Sequence, residues 1–209
     1  MTDDDIRALF TRADGSYLFS RWGRPLVPVV FGVDDATLAT VKGALQAVAH
    51  LANHGLADTD PELGANLMVF FTADWADIGR IPNLDRLIPG LDALLAPLQA
   101  GDANQYRIFR FDTAGAIRAA FVFLRMDNHL TAVPADVLAL SQAVQTILLW
   151  SDSAFHDRSA LADAGAGVIL RPGIGALIRA AYDPVLPAMT NDPAHALRLA
   201  ARVARAGIC

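Results

Sequence analysis

Residues 105–125 read QYRIFRFDTAGAIRAAFVFLR. Two strand-like runs, Gln105–Phe111 and Ala116–Arg125, flank Asp112-Thr113-Ala114-Gly115, a connection with the length and the glycine of a hairpin loop. Toward the N-terminus two more short apolar runs follow the same logic. Asn66–Phe71 reads as a strand, and so does Leu26–Phe31, which Gly32 ends. Between them Asp34 or Asp35 can cap a helix whose Leu38, Val41, Leu45, Val48 and Ala52 recur with helical period, with Gly55 as its stop.

The remaining segments read as helices. Asp74–Gln99 is interrupted by Pro82, Pro89 and Pro97, which predicts short helices. Pro134 opens an apolar helix running to about Trp150, Gly173–Tyr182 is another, and Asp192-Pro193 announces a last one over Pro193–Ala206. Asp3–Arg12 makes a short acidic-capped helix. The helix Pro134–Trp150 is expected to turn Val137, Leu140, Val144 and Ile147 toward a sheet, with Ser141 and Gln145 on another face. The order predicts an α+β (α/β) fold, a mixed sheet of about four strands with packed helices. No linker or repeat divides the chain, so residues 1–209 are read as one domain, residues 1–20 being an N-terminal helical extension and 21–206 the main body.

Composition narrows the class. Hydrophobic residues make up 54% of the chain, enough for a deep core and an apolar surface on which a protein partner or a second copy could sit. No apolar run approaches the roughly 20 residues of a spanning helix. The start, Met1-Thr2-Asp3-Asp4-Asp5, is the reverse of a basic secretory leader, and the single cysteine is Cys209, which together predict a soluble cytoplasmic protein. A net charge of −5 argues against nucleic acid as a partner.

Three segments carry a family resemblance. They are Trp22-Gly23-Arg24-Pro25-Leu26-Val27; Gly64-Ala65-Asn66-Leu67-Met68-Val69-Phe70; and Leu177-Ile178-Arg179-Ala180-Ala181-Tyr182-Asp183-Pro184-Val185-Leu186-Pro187, with Met189 following. In order and spacing these resemble a family of proteobacterial domains of unassigned function, described as lipoproteins and regarded as zincin-like. The likeness covers most of the chain from Trp22 onward, although Ala188 replaces a family glycine. It implies a metallopeptidase-like fold for residues 21–206. Zincins carry His-Glu-x-x-His on a helix: residues four apart share a face, so both imidazoles reach one zinc while the Glu activates its water. The resembling family has Glu-Glu-x-x-Gln followed by Leu-Gly-Leu-Pro-Asn-Asp. Here the matching stretch is Ser141-Gln142-Ala143-Val144-Gln145, then Ile147-Leu148-Leu149-Trp150-Ser151-Asp152, and of the family's polar positions only Gln145 and Asp152 keep their identities.

Those residues change the chemistry. A Gln amide has no proton-accepting state near neutral pH, so Gln142 cannot act as a general base. A Ser hydroxyl and a Gln carbonyl are poor zinc ligands beside imidazole or carboxylate. The expectation is a pseudoenzyme that needs no cofactor, with Ser141, Gln142, Gln145 and Asp152 either lining a vestigial cleft or forming a polar strip on a half-exposed helix. The alternative is a hydrolase or metal-dependent enzyme built around His50 and His54, which stand four apart, with Asp58 or Asp60 as a further ligand. Both histidines are expected to face solvent at a helix C-terminus. Trp22 with Arg21 and Arg24 reads either as a surface patch or as a lid on the core. Gly165-Ala166-Gly167 and Gly173-Ile174-Gly175 lack the Lys and Ser/Thr of a phosphate loop.

Overall fold

A computed structural model describes residues 1–165, 167–205 and 207; the predicted helix end at Ala206, Ala166 of the glycine pair and Cys209 lie outside the described residues. The elements run α1 (Asp3–Ala8), β1 (Phe19–Ser20), β2 (Pro28–Phe31), α2 (Asp35–Leu51), β3 (Leu67–Thr72), α3 (Trp75–Gly79), α4 (Leu84–Leu87), α5 (Leu91–Ala100), β4 (Gln105–Phe111), β5 (Ile117–Arg125), α6 (Asn128–Thr131), α7 (Ala135–Ile147), β6 (Leu161–Asp163), β7 (Val168–Leu170), α8 (Pro172–Ala181), β8 (Met189–Thr190) and α9 (His195–Arg205). The central sheet has the order β2-β3-β5-β4. β2, β3 and β5 are parallel, and β4 runs antiparallel at one edge. This is the mixed four-stranded α+β arrangement expected from the chain order.

Alternation along the strands sends side chains to two helical layers. Leu67 and Val69 of β3 and Ala120, Val122 and Leu124 of β5 join a cluster with α1, α2, α7, α8 and α9. Phe70, Phe121 and Phe123 join the opposite cluster, which α3–α5 close with Trp75, Ile78, Leu84, Leu91 and Leu95. The rings of Phe31, Phe70 and Phe123 stack in sequence at 4.8 and 5.2 Å. The segment read as an N-terminal extension contributes Ile6, Phe10 and Phe19 to the first cluster.

The central hairpin closes as its sequence suggests. Asp112 Oδ1 accepts from the N–H groups of Ala114 and Ala116, and Gly115 takes φ +80°, a conformation that costs glycine nothing. The α2 stripe is also realised, with Asp34 capping Thr37 N–H and Val41, Leu45, Val48 and Ala52 buried.

The facing of α7 differs from the expectation. Val144 and Ile147 are buried, but Val137 and Leu140 are only half-buried, and Leu138, Ala139, Gln142, Ala143 and Thr146 occupy the inner face. The reason lies in α2, which packs directly along α7. The small Ala139 and Ala143 meet Val41 and Leu45 of α2 where bulkier side chains would hold the helices apart. The stripe of largest residues was therefore not the most buried one.

Candidate cleft beside the third long helix

α7, the edge strand β4, α6 and the β6–β7 hairpin enclose an open cleft of ≈ 330 Å³. Leu130, Val133, Leu138, Leu161 and Val168 form its apolar walls, and Gln105, Ser141, Gln142, Ser159, His129 and Asp163 its polar lining. Asp127 positions α6 by accepting from His129 and Leu130 N–H. Arg171 Nε donates to Ser159 O at 2.8 Å, holding the loop before the hairpin.

The four residues picked out in the sequence part company. Ser141 and Gln142 both border the cleft. Gln145 Nε2 donates to Ser141 Oγ at 2.8 Å, while Gln142 turns inward, buried. Asp152, whose side chain is 70% exposed, pairs with Arg12 at 3.1 Å and is not part of the lining. An amide donor is the only side-chain partner of the Ser141 hydroxyl among the described residues, and it cannot take the hydroxyl proton.

Gln142 finds partners that sequence reading missed. Its Nε2 donates to Gln105 Oε1 at 2.9 Å, and its Oε1 accepts from Arg107 Nη2 at 2.5 Å. The same Arg107 nitrogen donates to Gln105 Oε1 at 3.0 Å. Burial pulls the Arg107 pKa down to about 10. The signal was available: alternation in Gln105–Phe111 puts Gln105, Arg107 and Phe109 on one face, and a charge on an inward strand position is unusual.

His50 and His54 do not share a solvent-facing helical side. His50 is exposed in the last turn of α2, but the helix stops at Leu51, and Asn53 turns the chain with φ +52°. His54 therefore leaves the helical face and does not look into solvent. Its Nε2 lies 2.8 Å from Arg24 O, its ring is 4.9 Å from that of Tyr182, and burial lowers its pKa. Asp58 and Asp60 sit near Lys42 at 3.9 Å and Arg24 at 3.6 Å. Among the described residues no three His, Cys, Asp or Glu side chains form a group that could hold a metal.

The Trp22 segment is a lid on the core. Trp22 is buried, and its Nε1 donates to Thr146 O at 2.8 Å. Tyr182 OH donates to Ile147 O at 2.7 Å and accepts from Trp22 N–H at 3.3 Å, while Arg21 lies over the Tyr182 ring at 5.3 Å. These bonds fix the end of α7, which sets one border of the cleft. Exposed large apolar residues are spread over several elements, among them Phe31, Leu87, Ile169, Val185 and Leu197. Among the described residues no helix is long and apolar enough to cross a membrane. Comparison with known families, curated proteins and solved structures finds no match to the chain.

Proposed function

We propose that this protein is a non-catalytic binding module on a degenerate zincin-like scaffold, and that the α7 cleft is where it takes a small molecule or a short peptide. The observation that carries this reading is that Ser141 and Gln142, which the family likeness matches to metal and base positions, border an open cleft. The volume falls at the lower end of the range for small-molecule sites, and the lining mixes apolar and polar side chains in similar measure, more polar than such sites usually are. What the cleft offers a ligand is hydrogen bonding from amides and hydroxyls. Neither a proton acceptor matched to Ser141 nor a ligand set for zinc stands on α7.

The test uses two-dimensional NMR of the full chain with small apolar acids, amides and alcohols and with short extended peptides. Shifts concentrated at Leu138, Ser141, Gln142 and the β6–β7 hairpin, and abolished by Ser141→Trp, are the expected result. Shifts scattered over the surface, or none at millimolar probe, would overturn the reading.

A further inference from the structure

Arg107, like Arg21, has a buried Nε without a partner and no carboxylate beside it among the described residues, and it is the one of the two that touches the cleft's glutamines. Its strand partner on β5 is Val122, and its side chain shares the α7 side of the sheet with Phe109 and the buried Val122 and Leu124. The guanidinium has five N–H donors. Nη2 serves two neutral oxygens, on Gln105 and Gln142. Nε is buried with no partner among the described residues. No carboxylate among them pairs with this side chain, whereas Arg125 has Asp102 and Asp127, and Arg202 has Asp183. A half-buried cation held only by amide dipoles is costly where its Nε has lost water, and a carboxylate is the group whose geometry matches a guanidinium.

The two glutamines connect this charge to the cleft, because both hold the guanidinium and both line the cavity. A half-turn of either terminal amide exchanges its oxygen for its NH2. An acceptor for Arg107 then becomes a second donor toward an anion. We propose that the cleft is a carboxylate site: Arg107 stands behind the lining, and the ligand is a small molecule whose one carboxylate takes amide N–H groups of Gln105 and Gln142 with the guanidinium charge behind them, and whose apolar body lies on Leu130, Val133, Leu138 and Leu161. The proposal rests on the binding reading above and adds the charge class of the ligand. One guanidinium balances one negative charge, and Asp163 on the rim disfavours a second, so a phosphate dianion fits less well.

The full chain, titrated with hexanoate, hexanamide and hexyl phosphate, tests this directly. Hexanoate should bind at least about tenfold more tightly than either analogue, through charge-assisted bonds that the amide cannot make. Arg107→Met should weaken hexanoate by about tenfold or more, leave hexanamide unchanged, and hold or raise the melting temperature, since it removes a partly desolvated charge. Arg107→Lys, which keeps charge without the guanidinium, should fall between and serves if the Met variant misfolds. Equal binding of hexanoate and hexanamide at Leu138 and Ser141 would overturn the carboxylate proposal and leave the binding module standing. Tighter hexyl phosphate binding would also overturn it. A Met variant that melts much lower and weakens all three probes alike would make Arg107 a structural prop, which again overturns the proposal. Failure of every probe to perturb the cleft would overturn both readings.

Discussion

The ring of His195 lies 4.4 Å from that of Phe19, fully buried, and neither ring nitrogen has a hydrogen-bond partner among the described residues. Burial, with help from Arg198 and Arg202, lowers its pKa to about 4, against the partial opposition of Asp192. In the unfolded chain the imidazole titrates near 6.5. Between these values the unfolded state binds more protons, so stability rises with pH there. The fold should therefore lose up to about 3 kcal/mol as pH falls from roughly 6.5 to 4, with no further loss from this group below that. Urea unfolding at pH 7 and pH 4.5 measures it. His195→Leu should flatten the slope relative to the parent; an unchanged slope would show that other groups carry the acid sensitivity.

Gly15 and Gly32 share almost the same backbone conformation, φ +83° and +82°, in different surroundings. A Cβ on Gly15 meets nothing within 4 Å, while one on Gly32 would run into the carbonyl oxygen of Phe71. Gly15→Ala should thus cost about 1–2 kcal/mol, the left-handed penalty alone. Gly32→Ala should cost clearly more, because backbone at the end of β3 must move. Thermal melts of the two variants side by side check this, and equal losses would contradict the close approach.

Much of this fold was legible in the sequence because its signals are local. The hairpin around Asp112–Gly115, the α2 stripe from Val41 to Ala52 and the proline-broken α3–α5 region each follow from turn chemistry or periodicity within a few residues. What escaped was set by distant partners. Leu140 looked like a core residue until Ala139 and Ala143 brought α2 close to α7. His54 looked exposed until the helix ended at Leu51 and the chain folded back on Arg24 and Tyr182. The cleft was half legible. Ser141 and Gln142 border the cavity, but Gln145 is spent on Ser141 and Asp152 lies with Arg12; alternation along β4 marks Arg107 as inward-facing, while its partner Gln142, 35 positions away, is visible only in the fold.

The two faces of α7 predict unequal responses to truncation. Ile147 is 2% exposed and sits in the main cluster, so Ile147→Ala should destabilise by about 2–5 kcal/mol through lost transfer energy and a cavity. Ser141 is half-buried, with Gln145 as its partner, and Ser141→Ala should cost under about 1 kcal/mol. Denaturant midpoints of the two variants decide the matter. Similar losses would mean that the cleft face of α7 is packed shut in solution.

Ser141 and Gln145 are bonded to each other, and Gln142 is bonded to Arg107 and Gln105, so the three residues that the proposed likeness sets at metal and base positions are already engaged. The other place to look was the His50 region, where Asp60 is drawn to Arg24 and His54 to a backbone carbonyl. Binding zinc at either place would mean breaking existing bonds in favour of weak or diverging ligands. Protein exposed to zinc and then dialysed should carry well below one metal per chain by elemental analysis, and a chelator should leave its melting temperature unchanged. One tightly held transition metal per chain would contradict this. If that metal were lost in His50→Ala or His54→Ala, the enzyme reading at the end of α2 would replace the binding module.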